Sequence, residues 1–462
     1  MKTPMLKQRD GAAVETAAVE AFRRAFRGEA LLPDDAGYDA ARRIWNASID
    51  KHPGLVARCA VTDDVIRAVN FARENNLLVA VRGGGHNVAG RALCDDGIVI
   101  DLSALNAVSV DPARRTVTVQ GGALLGDIDR ATHPHGLAVP MGVVSKTGIA
   151  GLTLGSGVGW LVRKYGMTCD NLLSCDVVTA SGELVTASET SNPDLFWGLR
   201  GGGGNFGIVT SFVFRGQPVS TVLGGLILYP RDKAGEVLRF YRDFIASAPE
   251  ELTAYAGLIS TPEGVPAVGM ILCYCGDLTQ GERVLAPVRA FGTPMLDAVQ
   301  PMPFPAMQTL LDDAFPDRTY NYWKSTFLKD LTDDTIDLLI DHANRVESPL
   351  SGVVVEYYGG AASRVGHGET AFAQREAKYN VGITAQWTDA TENAKHIAWT
   401  NALADALKPY SNGSQLLNFL SEDNQDVIRA AFGSNHARLV ELKNKYDPAN
   451  FFSLNQNVKP RA

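Results

Sequence analysis

The chain has 462 residues, more than a single hydrophobic core usually supports, so we expect at least two lobes. Hydrophobic residues make up 45% and charged residues 20%, as in ordinary globular proteins, which excludes disorder as the default. The 43 basic and 51 acidic residues give a net charge of −8 with no block of basic side chains, so nucleic acid is not an expected partner.

The first half of the chain predicts helices and short strands in quick succession. Val65, Ile66 and Val69 recur at helical spacing, and the apolar run at 77–82 then leads into three consecutive glycines. The predicted elements are a helix at 63–76, strands at 77–82 and 98–102, a hairpin of 107–111 and 116–120, a helix at 124–132, a hairpin of 175–180 and 182–187, a helix after Asn192, and a strand at 208–215.

The pattern changes near residue 218. Four strand-like runs, at 224–230, 267–276, 352–360 and 379–387, alternate with long helical segments at 231–247, 279–291, 333–346 and 389–407. This alternation predicts a second α+β lobe built on one large sheet. Residues 425–447 predict one amphipathic helix near the end of the chain.

Glycine is unusually frequent, at 45 of 462 residues, and clusters at 83–90, 121–126, 148–159 and 201–207. Two clusters imitate phosphate-binding motifs. The run 85–92 has P-loop spacing, but Arg91 and Ala92 replace the required lysine and hydroxyl residue. The run 202–207 matches GxGxxG, but strand-like residues follow it where a dinucleotide fingerprint must begin a helix. We therefore exclude a P-loop and a Rossmann nicotinamide site.

Neither a metal site nor a membrane segment is expected. The six cysteines are scattered without metal spacing, and Cys273 and Cys275 fit one face of a buried strand. Reduced thiols of this kind predict a cytoplasmic protein. The most apolar stretch, 136–162, contains Lys146 and many glycines, so no membrane partner is expected. His86 is structural if considered alone, but it follows three glycines whose N–H groups can form an anion-binding concavity.

Four segments of the chain, at 79–111, 137–185, 195–212 and 445–460, carry a specific resemblance. Their glycine loop, histidine and flanking strands resemble the FAD-linked oxidases of the berberine bridge enzyme-like group, within the vanillyl-alcohol oxidase superfamily. The resemblance implies an α+β, two-lobed FAD-binding fold with a substrate lobe of antiparallel sheet backed by helices. We expect an FAD lobe at 1–217 (core about 47–217), a substrate lobe at 218–410, and a segment at 411–462 that returns to the FAD lobe.

The resemblance also implies the cofactor residues and the activity. FAD is expected to be covalently attached through His86 alone, in a pyrophosphate loop formed by Arg82, Gly83, Gly84, Gly85, His86 and Asn87. Further cofactor contacts are expected from Pro140, Gly142, Val143, Gly148, Gly151, Leu152, Gly157, Ile208 and Asn455, with Thr147 facing dioxygen. The implied activity is hydride transfer from a small-molecule substrate to FAD, with reoxidation by dioxygen to hydrogen peroxide, in a monomer or homodimer.

Two departures from the family pattern matter. Some relatives attach the flavin a second time through a cysteine, but Val144 lies in the matching stretch here and cannot form a thioether. Many relatives use a tyrosine as base two residues before an asparagine near the carboxyl end. Here that position is Leu416, whereas Asn418 is retained.

Strand alternation supplies replacement candidates for the base. Val354, Glu356 and Tyr358 share one strand face, and Asn380, Thr384 and Gln386 share a face of the next strand. The sequence allows two interpretations of this polar face: it lines a cavity, or it is exposed to solvent. Glu356 is the first candidate, because burial raises a carboxyl pKa toward neutrality. Tyr358 is the second candidate.

Tyr322 and Lys324 are further candidates, with core packing as the alternative reading of their aromatic-rich segment. Three alternatives to the oxidase stay open. They are a dehydrogenase with another acceptor, a sugar oxidase, and a flavin-binding protein without turnover.

Overall fold

The computed structural model describes residues 6–421 and 424–461. Its strands are β1 Glu29–Leu31, β2 Leu55–Arg58, β3 Val79–Arg82, β4 Ile98–Asp101, β5 Val108–Asp111, β6 Thr116–Gln120, β7 Leu172–Val178, β8 Leu184–Ser188, β9 Ile208–Arg215, β10 Thr221–Pro230, β11 Leu252–Ser260, β12 Pro266–Tyr274, β13 Leu296–Asp297, β14 Gln300–Pro303, β15 Tyr320–Leu328, β16 Gly352–Tyr357 and β17 Tyr379–Trp387. Its α-helices are α1 Thr16–Ala25, α2 Tyr38–Ala41, α3 Thr62–Glu74, α4 Leu125–Thr132, α5 Ile149–Leu154, α6 Val162–Tyr165, α7 Pro193–Leu199, α8 Ala234–Ser247, α9 Leu278–Arg289, α10 Phe304–Gln308, α11 Asp333–Ala343, α12 Ala361–Arg364, α13 Asn393–Leu407, α14 Gln425–Phe432 and α15 His436–Tyr446.

The first sheet has four strands in the order β1-β2-β4-β3. Strands β2 and β3 both pair with β4 in parallel, which explains their continuous apolar sequences. Helix α3 packs its apolar face on this sheet through Val65, Ala68 and Val69. Because β3 ends at Arg82, the glycine loop that begins at Gly83 follows this strand directly.

The second sheet has five antiparallel strands in the order β5-β6-β9-β7-β8. Both hairpins predicted from the sequence are present, as β5–β6 and β7–β8. Strand β9 lies between them and begins at Ile208, directly after the glycine cluster. The exclusion of a Rossmann fingerprint at 202–207 is therefore confirmed, because a strand follows it.

The third sheet has eight strands, with the path β13-β10-β12-β11-β16-β17-β15 and β14 beside β10. All of its pairings are antiparallel. One face is covered by α8, α9, α11 and α13, which bury residues such as Val237, Leu339 and Leu403 against Val353 and Val355. The predicted α+β architecture with an antiparallel sheet backed by helices is thus confirmed.

The last part of the chain packs on the second sheet. Leu417, Phe432 and Leu442 share a buried cluster with Phe206 and Phe212. The predicted single helix at 425–447 is wrong, because Gly433 adopts a φ of 50° and separates α14 from α15. From these contacts we propose that the chain divides into lobes at residues 217 and 410 and that its last segment returns to the first lobe.

A buried ion pair fixes this C-terminal segment. The Lys443 ammonium lies 2.7 Å from Asp447 Oδ2, and both side chains are fully buried. Lys443 also donates to the carbonyls of Asn205 and Phe452, each at 2.9 Å. Asp447 accepts from the backbone N–H of Phe451 and Phe452. The pair therefore ties α15 to the glycine cluster before β9 and to the chain that follows α15.

Lys443→Met should lower the free energy of unfolding by about 3–5 kcal/mol, because it leaves the Asp447 carboxylate buried without its partner. Lys445→Met is the matched control, since Lys445 pairs with Asp194 at the surface and should contribute less than about 1 kcal/mol. Urea denaturation of both variants measures the difference. Equal losses would contradict a special role for the buried pair.

Helix α4 carries a second buried ionisable group, the carboxyl of Asp129. Asp129 is 2% exposed, and neither carboxyl oxygen has a hydrogen-bond partner among the described residues. Burial raises the pKa of Asp129 to about 8. The unfolded chain releases this proton near pH 4, whereas the folded protein keeps it until about pH 8. Folding stability is therefore lost as the pH rises from about 4 to about 8.

Asp129→Asn removes this dependence, so its stability advantage over the wild type should grow from pH 4.5 to pH 8 and then become constant. The expected gain is on the order of a few kcal/mol. Melting temperatures of both proteins across this pH range test the prediction. A difference that does not change with pH would show that Asp129 titrates normally in the folded protein.

Candidate functional site

A cavity of about 800 Å³ lies where the three sheets and the C-terminal segment meet. Its walls include the glycine loop after β3, the loop before α5, the glycines before β9, and one face of the eight-stranded sheet. This volume lies within the range that is typical of small-molecule and cofactor sites.

The glycine loop forms one wall, with Gly83, Gly84, Gly85, His86 and Asn87 all lining the cavity. A Cβ at Gly84 would lie 2.5 Å from the Gly148 nitrogen, and a Cβ at Gly148 would lie 2.3 Å from the Gly84 nitrogen. The two backbones are therefore in direct contact, and only glycine fits at either position.

His86 lies in this wall with its imidazole stacked on Trp45, at 4.3 Å between ring centroids and 13° between planes. Its Nε2 is buried without a hydrogen-bond partner among the described residues. Burial lowers the pKa of His86 to about 4, so the ring is neutral near pH 7. A neutral ring held by stacking, with a free nitrogen, fits the nucleophile of a covalent link.

Most of the other expected cofactor residues also line the cavity, namely Gly142, Val143, Thr147, Gly148, Gly151, Leu152, Ile208 and Asn455. Three do not. Arg82 donates instead to the Ala41 carbonyl and approaches Asp101, so its guanidinium points away. Pro140 is buried outside the wall, and Gly157 packs on the side chain of Thr168.

Several wall residues were not singled out from the sequence. Gly203, Gly204 and Gly207 line the cavity although no Rossmann helix follows them. Their clustering in the sequence is a signal for close backbone approach, although they do not match a dinucleotide fingerprint. Leu310, Leu311 and Phe315 also line the cavity, from a loop that Asp312 holds by accepting from Ser145. No local sequence pattern indicates that this loop reaches the site.

The sheet face carries a buried polar group, as alternation predicts. Glu356 lines the cavity, and Tyr358 and Asn380 both donate to its Oε2, Asn380 at 2.7 Å. Burial raises the pKa of the Glu356 carboxyl, and the two hydrogen bonds oppose the rise. Burial also raises the pKa of Tyr358 well above its ordinary value. Tyr358 therefore acts as a neutral donor behind Glu356.

Tyr322 and Lys324 do not reach the cavity, so the expectation for these two residues is wrong. The Tyr322 hydroxyl donates to Asn401 on α13, and the Lys324 ammonium lies 5.9 Å from the Tyr322 ring centroid. Both side chains are on the helix-covered face of β15, and the intervening Trp323 lines the cavity. Strand alternation predicts that Tyr322 and Lys324 share one face of β15, but it does not predict which face of the strand meets the cavity.

Asn418 lines the cavity and donates to the carbonyls of Gly151 and Leu152, at 3.3 and 3.4 Å. Leu416 is fully buried in an apolar cluster, so no base occupies its position. None of the six cysteines lines the cavity. Within residues 6–421 and 424–461, no group of side chains is arranged to hold a metal ion, and no helix is suited to cross a membrane.

Two family models match the chain. Residues 53–188 match the FAD binding domain, which includes the glycine loop and the Gly148 wall. Residues 416–459 match the model described as berberine and berberine like, which includes Asn418 and the C-terminal wall. The matched segments are thus the ones that form much of the cavity.

Relatives match over nearly the whole chain. An FAD-linked oxidoreductase of Dictyostelium discoideum is 33% identical over 420 residues, covering 90% of this chain and 91% of the relative. The (R)-6-hydroxynicotine oxidase of Paenarthrobacter nicotinovorans is 30% identical over 448 residues, covering 94% and 97%.

Solved structures share the fold. The crystal structure of 6-hydroxy-D-nicotine oxidase from Arthrobacter nicotinovorans superposes with a TM-score of 0.86 at 28% identity, covering 94% of this chain and 98% of that one. A chitooligosaccharide oxidase has the same TM-score at 22% identity, covering 96% and 100%, which shows the fold alone. The chain therefore belongs to the FAD-linked oxidoreductases of the berberine bridge enzyme-like group, in the vanillyl-alcohol oxidase superfamily.

Proposed function

We propose that the protein is a flavin-dependent oxidase that takes a hydride from a small or medium organic substrate of alcohol, phenolic or secondary-metabolite type. A bound FAD would supply the hydride acceptor, and its reoxidation by dioxygen, with transfer of two electrons and two protons, would yield hydrogen peroxide. The observation that carries the proposal is the placement of Glu356, a buried carboxyl that faces the same cavity as His86 and the glycine loop.

The residues of the cavity fit FAD. The Gly84–Gly148 contact leaves backbone on the cavity wall with no side chains, so a pyrophosphate can approach the N–H groups of the loop. Gly203, Gly204 and Asn455 add a second polar wall. Apolar contacts for the ring systems are available from Val143, Leu152 and Ile208.

We infer a single covalent attachment, through His86. The ring is neutral, its Nε2 has no partner among the described residues, and Trp45 fixes its plane. Val144 also lines the cavity, but its side chain is a hydrocarbon and cannot form a second bond. These contacts support the attachment independently of the family resemblance.

Glu356 is assigned as the base for the substrate hydroxyl or amine proton. A base is most effective when its pKa lies near the working pH, and burial moves this carboxyl in that direction. Tyr358 and Asn380 hold Oε2, which leaves Oε1 for a donor in the cavity. Tyr358 is assigned to position the carboxyl, and Asn418 to fix the chain beside Gly151.

Each alternative function differs from the proposed oxidase in one feature, namely the electron acceptor, the substrate or the occurrence of turnover. A dehydrogenase would use the same site with another acceptor, and we place dioxygen near Thr147 because that residue lines the cavity. A sugar oxidase is the second candidate, because a sugar also carries a hydroxyl group from which Glu356 could take a proton. A flavin-binding protein without turnover is the least favoured, since Glu356 supplies a base where Leu416 does not.

A cytoplasmic location is proposed from the free, buried cysteines.

His86→Ala should release the flavin, because it removes the proposed point of attachment. After acid precipitation the wild-type pellet should stay yellow, whereas the flavin of the variant should move to the supernatant. His135→Ala is the control, since this exposed histidine lies outside the cavity and should leave the pellet yellow. A coloured His86→Ala pellet would refute the attachment.

Glu356→Gln should retain flavin but slow its reduction by substrate about 10²–10⁴-fold, because the amide cannot accept a proton. The wild-type rate should rise with pH through the raised pKa of Glu356, and the variant rate should be flat. Anaerobic stopped-flow measurements isolate this half-reaction. Tyr358→Phe should slow it less, by altering the pKa of Glu356. A wild-type rate in Glu356→Gln across the pH range would exclude Glu356 as the base.

A further inference from the structure

The chain between α10 and β15 passes across the cavity. Strand β14, just before α10, pairs with β10 at one side of the eight-stranded sheet, whereas β15 is the last strand at the other side. Residues 308–319 make this connection, and we call them the bridging segment. Its side chains at Leu310, Leu311 and Phe315 line the cavity. The bridging segment is therefore a cavity wall that is attached to the sheet at both ends.

The first half of the bridging segment is bonded to the wall at 142–147. Asp312 accepts twice from Ser145, from the backbone N–H to Oδ1 at 2.8 Å and from the hydroxyl to Oδ2. Gln308, which is 1% exposed, donates to the Gly142 carbonyl. Hydrogen bonds to an ionised acceptor are roughly twice as strong as those between neutral groups. Asp312 therefore holds this wall more firmly than a neutral side chain would.

The second half of the bridging segment is bonded to Trp45. The Phe315 carbonyl accepts from Trp45 Nε1 at 3.2 Å, and the Arg318 N–H donates to the Trp45 carbonyl at 3.0 Å. Trp45 in turn stacks on the imidazole of His86. The bridging segment thus contacts the residue that fixes the plane of His86.

A tight turn connects these two sets of contacts. The Phe315 N–H donates to the Asp312 carbonyl at 3.2 Å, which closes the turn at Asp312–Ala314. The residue that binds Ser145 and the residue that binds Trp45 are therefore joined by a hydrogen bond as well as by the chain. A displacement of Asp312 is expected to move the backbone that holds Trp45.

Another contact between the bridging segment and the same wall is weaker. The Lys146 ammonium lies 2.9 Å from Asp317 Oδ2, but the two side chains are 48% and 55% exposed. Exposed ion pairs contribute little, because water and salt screen them. Ser145 and Asp312 are both half-buried. Of these two contacts, the one between Asp312 and Ser145 is expected to hold the segment.

We propose that Asp312 is a positioning residue of the flavin site. By binding Ser145 it holds the bridging segment in place, and the segment sets the position of Trp45 against His86. The proposal rests on the proposed function, because it concerns the site of flavin attachment, but it makes a claim about the bridging segment that can be tested separately.

Trypsin cleavage after Arg318 measures whether the bridging segment is held. Arg318 is exposed, but its N–H bonds the Trp45 carbonyl and the Thr319 carbonyl accepts from Ala47, so the segment must open before trypsin can cut. Asp312→Ala should accelerate this cleavage of the flavin-loaded protein by about tenfold or more, because loss of hydrogen bonds to a carboxylate raises the population of the open segment. Mass spectrometry identifies the fragments that end at 318 and begin at 319.

Two controls accompany this measurement. Lys146→Met breaks the exposed ion pair without changing the residues around the cleavage site, and it should alter the rate less than about threefold. Cleavage after Arg115, in the exposed β5–β6 turn, should have the same rate in every variant. Asp312→Asn keeps the shape and one acceptor oxygen, so it should fold readily and accelerate cleavage after Arg318 by a smaller factor than Asp312→Ala.

A double variant tests whether Asp312 acts through Ser145. Ser145→Ala removes the hydroxyl but keeps the N–H, so it should accelerate cleavage less than Asp312→Ala does. The double variant should be cleaved at the rate of Asp312→Ala alone, because the hydroxyl has then lost its partner already. Additive effects, or an unchanged rate in both Asp312 variants, would overturn the proposal.

Flavin retention separates positioning from a merely structural role. Asp312→Ala and Asp312→Asn should lose part of the flavin that acid precipitation leaves in the wild-type pellet, although circular dichroism shows them folded, whereas Lys146→Met should retain it. Faster cleavage with unchanged retention would overturn the positioning role and leave the attachment at His86 intact. If the wild type itself releases its flavin in acid, the attachment is refuted. Flavin occupancy after gel filtration then replaces the pellet as the readout, with the same loss expected in both Asp312 variants.

Discussion

The contact between the backbones of Gly84 and Gly148 is the constraint on which the site depends. It joins the loop after β3 of the first sheet to the segment before α5, and neither residue tolerates a Cβ at this distance. The consequence is a wall of bare backbone that places His86 and Thr147 on one cavity. Loss of this contact would separate the glycine loop from the cavity wall that begins at Gly148.

A second constraint comes from the C-terminal segment. Lys443 bonds carbonyls from both the glycine cluster before β9 and the chain after α15, so one buried cation holds two parts of the cavity wall. Asn455 extends this connection by donating to the Gly204 carbonyl at 2.9 Å. The cost of burying the two charges is offset by the ion pair itself and by four hydrogen bonds, two donated by Lys443 and two accepted by Asp447, which explains why the two chain regions lie together.

Much of the architecture was predictable from local pattern. Period-two alternation identified the strand face with Glu356, and the structure brings Asn380 to the same carboxyl. Alternation alone did not decide which face meets the cavity, so Tyr322 and Lys324 were placed on the wrong side of β15. The loop at 310–315 reaches the site through tertiary contacts, which no short-range pattern encodes. Apolar spacing alone predicts one helix through Gly433, because the break there depends on the backbone conformation of this glycine and not on the apolar pattern.

The apolar side chain of Leu416 and the carboxyl group of Glu356 are connected structurally through Tyr358. Leu416 packs among apolar side chains together with Tyr358, whose hydroxyl turns toward Glu356. A tyrosine at 416 would have to bury its hydroxyl in that cluster, where burial of an unpaired polar group is costly. The proposed proton acceptor, Glu356, instead lies on strand β16, with its orientation set by Tyr358 and Asn380. A carboxyl held in this way keeps its position whichever ligand enters the cavity, because both of its supporting hydrogen bonds come from the protein itself.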